Sequence, residues 1–424
     1  MATGLLLLVL FLSGLFVVLL RLGVKPPATP SPITPTTPAD ANRLVVVGAD
    51  GSLSTLAADG SAVRRLTPPG LSLQFPAWSA DGRFLAAPGS DGRETGIFVV
   101  ADTDGATPLA LYRSRTRIPF YLFWSPDDRW LSFLTNEGAD LGLWLAPADA
   151  SAPARRLRSG RPFYWDWLPA GDRLLIHTGG RAPSGLLTVI DREGQPTGEP
   201  IAPPGTFQAP DVTPDGRFIA FAVRGDDGDN LVVQEWATQS RRHTIPYRGA
   251  VALSWSPTAA QLAFISPPTA SPHPYGPLRL LDAGDGRTRL LSGRTVLAFF
   301  WSPDGRHIAY LTTGRAAPGV GEPTRLAAVT AQRDQPLLDL WLVRVEHGEE
   351  QRLATFQPTM LFFTQFLPFF DQYARSHHLW SPDGQALVLP VRENNGQERV
   401  YRFPITGEAP QPLIEGTMAF WPPR

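Results

Sequence analysis

The chain has 424 residues, a formal net charge of −1, no cysteine and a single lysine, Lys25. This composition excludes a thiol nucleophile, a disulfide scaffold, Cys-ligated zinc and, over the folded part, a lysine for a phosphate loop or a Schiff base. The near-zero charge provides no global field to recruit nucleic acid, and none is expected as a partner.

Residues 2–20 are uncharged and apolar, and nineteen helical residues span about 28 Å, enough for a bilayer core. Residues 1–25 are therefore expected to form a transmembrane anchor, uncleaved because the n-region has no basic residue and no small-residue cleavage site follows. Arg21 and Lys25 favour a cytoplasmic C-terminal side by the positive-inside rule. Residues 26–42, rich in Pro and Thr, read as an extended stalk.

From Arg43 the chain becomes repetitive. An apolar run ends in an aromatic, a Ser/Pro/Asp/Gly turn follows, and a new apolar run begins: PAWSADGRF (76–84), LFWSPDDRW (122–130), DWLPAGDRL (166–174), DVTPDGRFI (211–219), LSWSPTAAQL (253–262), FWSPDGR (300–306), HLWSPDGQAL (378–387) and AFWPP (419–423). In these turns Pro presets φ, Asp bonds the backbone ahead of it and Gly accepts positive φ. Measured at Trp78, Trp124, Trp167, Val212, Trp255, Trp301, Trp380 and Trp421, the steps are 46, 43, 45, 43, 46, 79 and 41 residues. A period of roughly 40–45 residues with strand-like content predicts a β-propeller. The predicted class is all-β with eight blades, or seven if the unit at Val212 forms no separate sheet. The segment after Arg43 supplies three strands and lacks the aromatic one, so residues 417–423 are expected to complete the first blade and close the ring. In a typical unit the later strands are expected at 84–89, 96–102 and 108–112.

The long step from Trp301 to Trp380 holds two insertions, at about 314–336 and 357–378. Both are expected on the face that carries the second-to-third-strand and blade-to-blade connections, where long loops on a rigid scaffold carry function. The second insertion packs Phe362, Phe363, Phe366, Phe369, Phe370 and Tyr373 into twelve residues, followed by Arg375, His377 and His378. It reads either as a plug of the channel mouth or as an apolar patch that docks a partner. Blade-to-blade connections also carry Arg113, Arg115 and Arg117, then Arg158 and Arg161, a possible cationic arc for carboxylate or phosphate groups. Together these aromatics and arginines form the candidate binding surface. Asp166 and Asp211 precede the repeat position in consecutive blades, a pairing suited to acid/base work or a cation, or simply to structural bonding.

No metal site is expected, because the adjacent His377 and His378 would point to opposite faces of a strand. The segments 101–105 and 225–230 read as Asp-Gly turns, without a calcium loop's ligand spacing. No nucleophile elbow occurs. No cofactor and no catalytic set is therefore assigned.

The repeats resemble the TolB-type propeller repeat over 43–424, with WSPDG intact at 301–305 and 380–384 and near copies at 78–82 and 124–128. The resemblance implies an extracytoplasmic propeller serving as a protein-binding platform. It carries over no functional residue, since the matched positions are turn and packing residues. The separate N-terminal domain of TolB is absent, as is the hydrolase domain of the peptidases that bear a similar propeller. The reading from sequence is a membrane-anchored, non-enzymatic platform for a protein or ligand. The alternative is a hydrolase or lyase acting on a glycan or small ester at the channel mouth, using Asp166, Asp211 and the arginines; a small-anion sensor is a third possibility.

Overall fold

A computed structural model describes residues 43–180, 185–206, 208–314 and 337–423. The expected anchor (1–25), the stalk (26–42) and nearly all of the first insertion (about 314–336) lie outside the described residues. Among the described residues no helix is long and apolar enough to cross a membrane.

Eight separate antiparallel sheets follow one another along the chain. The second opens with Ser72–Leu73 and Ala77–Trp78, the third with Pro119–Trp124, the fourth with Phe163–Trp167 and the fifth with Asp211–Val212. The sixth and seventh open with Ala252–Trp255 and Ala298–Trp301, and in the eighth a single bridge from Trp380 to Leu387 replaces the first strand. The Val212 unit thus forms its own four-stranded sheet, which decides for eight blades over seven. The predicted strands of the second blade appear as Phe84–Ser90, Thr95–Ala101 and Leu109–Ser114.

Met418–Phe420 pairs antiparallel with Arg43–Val47, in the register Val45 to Phe420 and Val47 to Met418. The ring is closed by that pairing, and the first blade's open edge is covered. The first strand of each blade is the inner one. Phe163–Trp167 and Ala252–Trp255 are almost wholly buried, whereas last strands such as Ser240–Pro246 and Glu350–Phe356 are largely exposed.

The repeat earns its residues at two places. In the turn, the Ser79 hydroxyl donates to Asp81 (2.7 Å) and accepts the Phe84 N–H (3.0 Å), while Asp81 also accepts the Arg83 N–H (3.0 Å). Ser125/Asp127, Thr213/Asp215, Ser302/Asp304 and Ser381/Asp383 repeat the first of these bonds. Gly82, Gly305 and Gly384 hold φ near +66 to +69°, a conformation that Asp128 also adopts where it stands in the glycine position.

The second place is the junction between blades. The indole N–H of five repeat tryptophans reaches back to the carbonyl that precedes the repeat position in the blade before it. The pairs are Trp78 to Phe420 (3.2 Å), Trp124 to Ala77 (3.0 Å), Trp255 to Asp211 (3.3 Å), Trp301 to Ser254 (3.1 Å) and Trp380 to Phe300 (3.1 Å). Trp167 makes the link through a relay, donating to Ser132 Oγ (3.1 Å), which donates to the Phe123 carbonyl (2.9 Å). Tryptophan is therefore the residue of choice because it offers apolar area and one directed donor together.

Candidate functional site

An inner strand has one edge paired within its blade and one edge facing the channel, whose backbone groups need partners. The insertion 357–378 bonds four backbone carbonyls that lead into inner strands, those of Phe75, Ala209, Pro210 and Thr417. It turns inward as one helical segment, Phe362–Phe366, Leu367–Phe369 and Phe370–Tyr373. Its rings pack on inner strands around the channel. Phe366 stacks near Phe420 (centroids 5.8 Å), Phe370 against Phe299 (5.3 Å), and Tyr373 against Phe75 (5.1 Å) and Tyr121 (4.9 Å).

Phe362, Phe366, Phe370 and Tyr373 are consequently buried. They form core and present no apolar surface to a partner. Phe363 is half-buried, and Phe369 alone of the six remains open, at 48% exposure.

Polar bonds lock the plug. Tyr121 donates its hydroxyl to the Gln372 carbonyl (2.8 Å), and Thr359 donates to the Thr417 carbonyl (3.0 Å). His377 Nε2–H donates to the Phe75 carbonyl (2.9 Å), which leaves Nδ1 to accept from Ser376 Oγ (2.7 Å). Burial pushes the His377 pKa down to about 3, consistent with a neutral ring held by those two partners.

The plug also ends in a buried ion cluster. Arg375, its side chain 8% exposed, lies 3.1 Å from Asp166 and 3.7 Å from Asp211, and its guanidinium also donates to the open-edge carbonyls of Pro210 and Ala209 (3.4 Å for the latter). The acids bond backbone as well. Asp166 Oδ2 accepts the Val212 N–H (3.1 Å), and Asp211 Oδ2 accepts the Trp255 N–H (2.7 Å). Where valine replaces the repeat tryptophan, a carboxylate thus joins the two blades instead. Burial raises the Asp166 pKa, opposed by Arg375 and reinforced by Asp211. Burial likewise pushes Asp371 up to about 6 against the pull of Arg375. Burial disfavours the Arg375 charge, but Asp211 and Asp166 outweigh it and raise its pKa.

The two acids meet as the channel-mouth reading required, but their cationic partner is Arg375. The arginine arc is elsewhere, on the rim. Arg113 pairs with Asp91 (2.5 Å), Arg115 with Glu94 (3.1 Å) and Arg117 with Glu137 (3.8 Å). Arg158 Nε is buried without a hydrogen-bond partner, and Arg161 Nη2 donates to Asn136 Oδ1 (3.4 Å). Of the calcium-like segments, Asp102 is bonded to Arg43 (3.2 Å) and Arg64 (2.8 Å). Among the described residues no group of three His, Asp or Glu could hold a metal ion.

Beside the plug, between its outer side and blades two to four, opens a cavity of about 710 Å3. Ser72, Ser90, Thr95, Ile118, Asn136 and Arg161 line it along with plug residues Thr364, Gln365 and Phe369. All come from one face of the disc, the face predicted to carry function. Ile118 (59% exposed) and Phe369 (48%) are two of the few large apolar side chains left open among the described residues. The sequence did not point to this cavity, which is enclosed by segments hundreds of residues apart.

No family model matches the chain, nor does the sequence of any curated protein. Solved structures similar to it include dihydro-heme d1 dehydrogenase NirN in complex with DHE, at 16% identity over 94% of this chain and 79% of that one, with a TM-score of 0.55. A eukaryotic initiation factor shares 12% identity over 91% and 99% of the two chains, with a TM-score of 0.51. TolB from Acinetobacter baumannii shares 16% over 84% and 82%, with a TM-score of 0.38. Such identities speak to fold alone. The chain is an eight-bladed β-propeller.

Proposed function

We propose that this protein is a membrane-anchored, non-enzymatic binding platform, displayed outside the membrane, that engages its partner at the cavity beside the plug. The cavity carries the reading. Its volume of about 710 Å3 falls within the range of roughly 300–1,000 Å3 usual for ligand sites. Exposed Ile118 and Phe369 stand at its lining, while Phe362, Phe366, Phe370 and Tyr373 of the plug are core. The apolar run at 2–20 supports the anchor, and the TolB-like repeat supports a binding role.

The test places a photo-crosslinking aromatic residue at position 369 of the full-length protein in its native cells, with a second variant carrying it at 290. Leu290 is more open (59% against 48%) but lies on an outer strand, Thr288–Val296. A discrete adduct formed from 369, absent from 290 and lost with Ile118→Asp, is the expected result. Identical adduct patterns from both positions overturn the reading. Carbonate extraction of a variant lacking 2–20 tests the anchor separately, with release from the membrane fraction expected.

A further inference from the structure

The cavity is chemically lopsided. Among the described residues no Asp, Glu, Lys or His lines it, and Arg161 is the one charged residue. The neighbouring rim arginines Arg113, Arg115 and Arg117 each have a carboxylate within 4 Å. Arg161 has none among the described residues, and its hydrogen bond is the long one to the Asn136 amide. The remaining wall is dominated by rings and aliphatic carbon, including Phe120, Phe163, Tyr373 and Phe369.

We propose that the cavity binds a small organic anion, with an apolar ring or acyl body against the aromatic wall and a single carboxylate on Arg161. The proposal rests on the reading of this face as the binding platform and names its ligand class. A guanidinium fork matches a carboxylate in shape and charge. Among the described residues no acid lines the wall, and the adjacent Asp91, Glu94 and Glu137 are each paired with an arginine. A cation would meet only Arg161. A polyphosphate would be left mostly unneutralised by one guanidinium. The apolar wall stabilises a body that leaves water, which an ion alone does not supply.

The experiment is equilibrium dialysis of the full-length protein in detergent, with detergent alone as the reference chamber. The probes are 1-naphthylacetate and octanoate, each compared with its uncharged amide. At low salt the acids are expected to bind about fivefold or more tighter than the amides, the range of one charge-assisted contact. That preference shrinks as salt rises, because Arg161 is exposed. Arg161→Gln should equalise acid and amide. Gln365→Trp, which fills the cavity from an exposed position, should abolish binding of both while the melting curve stays unchanged.

Equal binding of acid and amide to the wild type, unchanged acid binding in Gln365→Trp, or no binding of either acid at millimolar concentration overturns the proposal. Its failure and that of the platform reading are separable. Acid binding lost with the 369 adduct intact faults the ligand class alone. Acid binding present without a specific 369 adduct faults the platform alone.

Discussion

Arg375 reaches Asp166 across the channel at 3.1 Å, joining the plug to the inner strand of the fourth blade. Both side chains are buried, and a second carboxylate, Asp211, stands at 3.7 Å from the same guanidinium. Removing one member of such a cluster leaves the others charged and uncompensated. Arg375→Met is expected to destabilise the protein by about 3–5 kcal/mol, the usual cost of a broken buried pair. The deficit should be smaller at pH 5 than at pH 8, since the orphaned acids can then take up protons. Urea unfolding at the two pH values measures it; a pH-independent deficit would contradict the assignment.

Asp371 gives the fold a pH dependence of its own. Its carboxyl titrates near 6 in the folded chain against an ordinary value of 3.8. The folded state therefore holds the proton more tightly, so this contribution is complete below about pH 4 and is lost as pH rises through 6. Asp371→Asn should remove that slope, worth about 2–3 kcal/mol across the window. His377 acts with the opposite sign. Its pKa falls from 6.5 to about 3 on folding, so its contribution is present above 6.5 and is lost as pH drops towards 3. Unfolding midpoints of the wild type and Asp371→Asn between pH 4 and 7.5 separate the two.

The indole bonds between blades predict a contrast between two tryptophans. Trp124 donates to the Ala77 carbonyl (3.0 Å), whereas Trp421, also buried, has an Nε1 with no partner among the described residues. Both lose similar volume on mutation to Phe, so the difference isolates the bond. Trp124→Phe should cost about 1–2 kcal/mol more than Trp421→Phe. Equal losses would mean that ring packing alone holds the blades together.

The plug's rings divide into core and surface. Phe366→Ala should cost about 3–5 kcal/mol, because the ring is fully buried and stacked on Phe362 at 5.1 Å. Phe369→Ala should stay within about 0.5 kcal/mol in stability. Thermal and urea melts of the two variants decide this. Deleting 359–374 would uncover the channel, so that lesion reports on folding before it reports on any partner.

Much of the ring was legible because its code is local. The Ser/Asp/Gly turn and the aromatic before it recur in one dimension, and the count of eight and the closing strand followed from the missing first strand of the opening unit. Val212 kept its place in the period although it lacks the indole, and its blade forms as the spacing requires. The plug was harder. The aromatic cluster reads as either a plug or a patch, and its spacing favours the plug: Phe362, Phe366 and Phe370 recur every four residues with Tyr373 next, the stripe of a helix with one buried face. Phe363 and Phe369 fall off that stripe and are the more open ones. That Asp166 and Asp211 lie together was legible from their equivalent places in consecutive blades, but the arrival of Arg375 between them was not. It depends on which strands the plug crosses once the ring has closed, and no local pattern encodes that.

Ring closure also sets a timetable for synthesis. The pairing that seals the first blade joins Val47 to Thr417, 370 residues later. At roughly 5–20 residues per second, that interval lasts on the order of 20–70 s. Throughout it the strand Arg43–Val47 exposes an unsatisfied hydrogen-bonding edge to the translating cell, as does any product truncated before Met418. Such fragments carry a ready template for strand addition, so the last turn of synthesis acts as the checkpoint between a closed ring and an arc prone to aggregation.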